Sequence, residues 1–243
     1  MRSHEKVSEI GFAAKCGAND RAKDRERMNT PDFSASLGYW LIAVAVGFLS
    51  GSVLYSKLLP RLFLKKDICE TAADKNPGAS NVFKSCGIGF GLLCLALDML
   101  KAYLPVRIAL LTLGSESLWF SAVMAAPVAG HAVGLFDCFH GGKCIAASFG
   151  VMIALLDKTP IGLLLAAIYI IFSTILKITP NRRRSIVTFT LFGILSFGIL
   201  LYQGKPPLAL GTFAISDIAV FRHVHAPDTA KNEIYAQTSE EQP

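Results

Sequence analysis

Residues Gly87–Leu113 read GIGFGLLCLALDMLKAYLPVRIALLTL, 27 residues with only three charges, Asp98, Lys101 and Arg107. At 1.5 Å rise per residue a helix of that length reaches about 40 Å, more than the roughly 30 Å hydrocarbon core of a bilayer. The stretch is not alone. Phe33–Ser56 (24 residues), Ser117–Phe136 (20), Thr159–Leu176 (18) and Ser185–Gly204 (20) contain no Lys, Arg, Asp or Glu. The first holds the aromatic pair Tyr39–Trp40, which suits a membrane–water interface. Cys144–Leu156 (13 residues) and Pro206–Ser216 (11, then Asp217) are shorter apolar stretches. Counting both predicts seven spans, and counting neither predicts five. The expected fold class is all-α: a polytopic membrane helix bundle, with seven transmembrane helices favoured.

Composition agrees. Of 243 residues 52% are hydrophobic and 17% charged, with mean hydropathy +0.46. A soluble domain carries about 25% charge, so this chain is too poor in charge to wet a compact soluble surface. Long apolar runs exclude disorder and a disulfide-stapled secreted domain. The six cysteines show no CxxC pair or metal-ligand spacing. The net charge of +6 reads as basic loops on one side of a membrane, with no nucleic-acid partner. On a seven-span count, loops 60–86, 137–143 and 177–184 with the C-terminal tail hold twelve Lys and Arg, against two in the loops between. The richer side is expected to face the cytoplasm of a cell with the chain in its plasma membrane. Residues 1–27 break the rule with seven Lys and Arg outside; a chain starting at Met28 would obey it. The expected organisation is a disordered tail (1–32), a membrane domain (33–222) and a polar C-terminal tail (223–243).

Chemistry concentrates in the basic loops. The first reads DICETAADKNPGASNVFKSCG, residues 67–87. Ser80 or Asn81 is expected to cap a helix starting near Val82, where free N–H groups attract an anion, with Lys84 one turn in. The second reads PVAGHAVGLFDCFHGGKCIAASFG, residues 127–150. Gly141 and Gly142 let the backbone approach a phosphate, and Lys143 adds a point charge, although GxxxxGK[ST] is absent. Asp98 and Lys101, three apart on one helix face, can neutralise each other.

These loops resemble the bacterial acyl-phosphate-dependent glycerol-3-phosphate acyltransferases (PlsY). Gly51–Ser52 ends the first span as that family's opening segment does. Asn76-Pro77-Gly78-Ala79-Ser80-Asn81-Val82-Phe83-Lys84 is similar to its SGNxGATNxxR motif. Leu97-Asp98-Met99-Leu100-Lys101 is similar to LDxxKG, and Gly130-His131 through Gly141-Gly142-Lys143 matches the spacing of GHxFPVFLxFxGGKG. The likeness covers roughly residues 45–225 in order. It implies seven spans, a cytoplasmic active site, no metal and no cofactor. It also implies transfer of an acyl group from acyl phosphate to the 1-hydroxyl of glycerol 3-phosphate, giving lysophosphatidic acid at membrane lipid.

Carried over residue by residue, Lys143, His223 and Lys84 are the expected catalytic groups. Asn76, Gly78, Ser80, Asn81, Lys101, Gly141 and Gly142 are the expected binders of substrate phosphate. His223 would orient or polarise the acyl-phosphate carbonyl, His131 would make a structural hydrogen bond, and the departing phosphate would take the hydroxyl proton. Three departures stand out: Asp74 occupies the family's Ser position and needs a cation, expected as Lys75; Lys84 replaces an Arg and loses its fork; Ala226 replaces an Asn. His223–Asp228 also spells the HxxxxD of acyl-CoA-dependent enzymes, read here as coincidence. The alternatives are a small-anion transporter and a catalytically inactive relative.

Overall fold

The structure, a computed structural model, describes residues 33–72 and 74–225. The N-terminal tail, Met28, Ala226 and Asp228 fall outside them. The chain divides into Met1–Tyr39 and Trp40–Pro243; of the first unit only the opening turns of one helix are described. All regular structure among the described residues is helical. In order the α-helices are α1 (Phe33–Ser52), α2 (Tyr55–Leu64), α3 (Ile68–Thr71), α4 (Ala79–Cys86), α5 (Ile88–Leu113), α6 (Trp119–Val133), α7 (Ile145–Ala154), α8 (Ile161–Ile170), α9 (Asn181–Tyr202) and α10 (Pro206–Val224), with a 3-10 turn at Leu135–Asp137 and a π-helical segment at Ile171–Ile175.

Three helical segments are long and apolar enough to cross a bilayer: Ile88–Leu113, Trp119–Asp137 and Asn181–Tyr202. A fourth span forms if α1 and α2, bent by 43° at their break, count as one. Ile145–Ala154 and Ile161–Ile175 are apolar but short. The decisive stretch is one 26-residue helix, α5, whose Leu92, Leu93, Leu104, Ile108 and Leu111 point outward, as lipid contact requires.

Several boundaries differ from expectation for local reasons. The first apolar run does not continue to Ser56. Val53 and Leu54 leave helical geometry and a new helix starts at Tyr55. Beyond Asp217 the last helix continues without interruption to Val224, so His223 sits in its final turn and not in a tail. The first loop's helix starts at Ala79, with Gly78 as N-cap and no side-chain cap, so neither Ser80 nor Asn81 caps it. Gly87 (φ +86°) separates α4 from α5, a left-handed conformation that glycine adopts without penalty.

Lipid tails are as apolar as leucine, so close packing of small residues holds such a bundle together. A Cβ on Gly51 would land on the Pro127 carbonyl, and one on Gly130 on the Phe48 carbonyl, so α1 and α6 touch backbone to backbone. Behind them Phe120, Met124, Phe189, Phe192 and Leu200 form a fully buried core. α9 packs along α10, α10 along α6, and α5 along α7.

The break between α1 and α2 is closed by α5. Asp98 and Lys101 pair at 2.9 Å with both side chains 1% exposed. Asp98 accepts from the Ser56 hydroxyl at 2.5 Å and from the Tyr55 N–H at 3.3 Å. Lys101 donates to the Val53 carbonyl and to His131 Nδ1, the latter at 2.9 Å. Backbone groups freed by the bend are thus satisfied, as apolar surroundings demand.

Candidate active site

A cavity of about 660 Å³ lies where four segments converge: the loop before α4, the start of α7, the start of α9 and the end of α10. Seven of the ten expected residues line it: Asn76, Gly78, Ser80, Asn81, Lys84, Lys143 and His223. Three do not. Lys101 donates its ammonium protons to Asp98, Val53 and His131 and has none left for a substrate. Gly142 donates its N–H to the His131 carbonyl at 2.9 Å. The carbonyls of Gly141 and Gly142 accept from Arg222, at 2.5 Å from Nη2 and 3.1 Å from Nε. The two glycines therefore shape the loop that presents Lys143. Gly142 has no side chain because the His131 ring fills that space. His131 has the structural hydrogen bond expected of it.

Asp74 finds a different partner from the one expected. Its Oδ2 accepts from Lys143 Nζ at 2.6 Å, and Lys75 is not involved. Its Oδ1 accepts from Asn81 Nδ2 at 2.8 Å and from the Asn76 N–H at 3.3 Å. The second Nδ2 proton of Asn81 goes to the Asn76 carbonyl at 2.9 Å. Both amide protons are then committed, and Asn81 offers no donor to a ligand while Asp74 is in place. Burial pushes the Asp74 carboxyl up, but the hydrogen bond and charge of Lys143, with Asn81 and the Asn76 N–H, outweigh it and hold the group below the usual carboxylate range. It is an anion at neutral pH.

Two further cations on the cavity wall, Lys84 and Arg184, are open to a ligand, whereas Arg182 donates to the Val224 carbonyl. Lys84, exposed in the last turn of α4, has no carboxylate within ion-pair distance among the described residues. Arg184 lines the cavity with its guanidinium carbon 5.5 Å from the centre of the Tyr169 ring, and its buried Nε lacks a hydrogen-bond partner. A buried, unfilled guanidinium N–H beside a cavity is costly unless a ligand fills it. His223, 1% exposed, donates from Nδ1 to the Ala219 carbonyl at 2.7 Å and stacks on Phe189. In the neutral ring Nε2 is then an acceptor, suited to a hydroxyl and not to polarising a carbonyl.

Sequence reasoning missed Arg184 and Arg222. Arg184 was counted only as loop charge, although three arginines at a helix start were a signal for an anion. In the sequence Arg222 counts only as charge of the C-terminal tail, and nothing there joins it to Gly141.

An apolar helix bundle around a cation-lined cavity with one acceptor histidine defines a class: an integral membrane protein whose cavity suits an anionic ligand. A family model described as glycerol-3-phosphate acyltransferase matches residues 41–230. A glycerol-3-phosphate acyltransferase of Legionella pneumophila (strain Lens) is 28% identical over 187 residues, covering 77% of this chain and 64% of that protein. Glycerol-3-phosphate acyltransferase 2 of Thermotoga maritima is 31% identical over 141 residues, covering 58% and 69%. Crystal structures of PlsY, an integral membrane glycerol 3-phosphate acyltransferase, match at 26% identity over 84% of this chain and 94% of that one. The TM-score is 0.64 for the glycerol 3-phosphate form and 0.63 for the lysophosphatidic acid form. This chain belongs to the glycerol-3-phosphate acyltransferase family, and spans about two thirds of the length of the Legionella relative.

Proposed function

We propose that this protein transfers an acyl group from acyl phosphate to the 1-hydroxyl of glycerol 3-phosphate, forming lysophosphatidic acid for phospholipid synthesis. The observation that carries the reading is the single cavity that Lys84, Lys143, Arg184 and His223 share, in a chain of this family. Two phosphate-bearing substrates need separated cations, and an attacking hydroxyl needs an acceptor. Lys143 and Lys84 neutralise phosphate, Arg184 holds the second anion, and Ser80, Gly78 and Asn76 frame the site. The hydroxyl oxygen bonds to the acyl carbonyl carbon as the carbon–oxygen bond to phosphate breaks. The hydroxyl proton passes to His223 Nε2 or to the departing phosphate, so no covalent enzyme intermediate is needed. Alignment of the two substrates supplies several kcal/mol of the rate enhancement, of the order seen for oriented reactants.

The same reading has seven spans, with the cavity facing the cytoplasm of a cell whose plasma membrane holds the chain. It is supported by loop contacts: Lys143 with Asp74, Arg222 with Gly141 and Gly142, and on the alternate set of loops Lys205 Nζ with the Lys158 carbonyl at 2.8 Å. The test is purified protein in lipid with glycerol 3-phosphate and either acyl phosphate or acyl-CoA, reading lysophosphatidate. Product from acyl phosphate alone is expected. Product from acyl-CoA would overturn the donor assignment, and bound ligand without product from either would favour an inactive relative.

A further inference from the structure

The loop before α4 places a carboxylate on the donors expected to bind phosphate. Asp74 takes Lys143 Nζ at 2.6 Å through one oxygen and the Asn81 amide at 2.8 Å through the other. Three features make this a ligand-like arrangement. The carboxylate lies on the cavity wall, together with both of its side-chain donors. It is less than one-fifth exposed, at 16%, and Lys143 at 21% is similarly shielded, so the pair is screened little by salt. A phosphate oxygen and a carboxylate oxygen accept the same charge-assisted hydrogen bonds at the same distances.

We propose that Asp74 is a built-in competitor for the substrate phosphate: it occupies the Lys143–Asn81 seat and is displaced when a phosphate monoester or acyl phosphate binds. The identity of that substrate rests on the acyltransferase reading; the displacement itself does not. Asp74 holds Lys143 and Asn81 ready and keeps stray anions out, at the expense of affinity. Other charges near the seat do not reproduce this effect. Lys84 and Arg184 have no carboxylate at ion-pair distance among the described residues, and Asp98, the other acid on the cavity wall, is bound to Lys101. With Asp74 gone, Lys143 has no acidic neighbour at ion-pair distance among the described residues.

The experiment measures binding of inorganic phosphate and, separately, of glycerol 3-phosphate to the purified full chain in lipid nanodiscs. Asp74→Asn removes the charge and keeps the shape; Asp74→Ser, the residue of the family motif, guards against a folding defect in the first variant. Phosphate affinity is expected to rise about tenfold in both, the ratio that ~1.4 kcal/mol of relieved competition gives. The gain must vanish when Lys143→Gln is added, because the two changes act through one seat. Unchanged or weaker phosphate binding in both variants, or a gain that survives Lys143→Gln, overturns the proposal. Tighter phosphate with no binding of glycerol 3-phosphate in any variant keeps the displacement and removes the acyltransferase reading.

Discussion

At the scale of single residues, site chemistry is decided by which donors are already spent. Lys101 and Lys143 are both lysines beside an aspartate, yet one has its protons fixed within the bundle and the other faces the cavity. Lys143→Ala is expected to lower kcat about 10²–10³-fold, the effect of removing one charged donor from a preorganised site. Arg184→Gln should raise the KM of one substrate and leave the melting temperature close to wild type, since Arg184 makes no ion pair among the described residues. Steady-state kinetics alongside thermal melting in detergent check both. Near-normal turnover in Lys143→Ala would reduce that residue to a partner for Asp74. Lys143, Lys84 and His223 were legible through the motifs that resemble the family's, since spacing alone left each a weak signal; the structure brings all three to one cavity. The sequence could not assign Gly141, Gly142 or Lys101, because whether an N–H is free depends on His131 and Val53, distant in sequence.

Among elements, the break between α1 and α2 was the least visible feature. Residues 33–56 carry no charge or proline, so pattern alone reads one unbroken helix; tertiary partners on α5 create the bend. The long runs behind α5, α6 and α9 were legible because 20 or more uncharged or nearly uncharged residues admit few other readings. Asp98→Asn leaves the Lys101 charge buried with the Val53 carbonyl and His131 as its only partners. It is expected to destabilise the bundle by about 3–5 kcal/mol, typical of orphaning one member of a buried pair. Asp98→Asn combined with Lys101→Met should recover much of that loss. Reversible unfolding in mixed micelles measures both variants, and a single mutant as stable as wild type would show that the pair does not hold the break.

For the whole molecule, the seven-span reading makes a geometric demand: loops 60–86 and 177–184 share a face, and Lys158 lies on the other. Cysteines introduced as Lys66→Cys and Arg183→Cys in a chain with its native cysteines replaced should react with an impermeant thiol reagent from one side of oriented vesicles, and Lys158→Cys from the other. Opposite labelling of positions 66 and 183 would end that topology. The clasp of Arg222 on the Gly141 and Gly142 carbonyls, next to His223, also bears on biosynthesis. A nascent chain that has threaded every earlier helix into the membrane still lacks the clasp on its lysine-bearing loop and the acceptor on its cavity wall. Competence therefore arrives with the last helix, and a chain whose translation stops before residue 222 remains inserted but without a finished site.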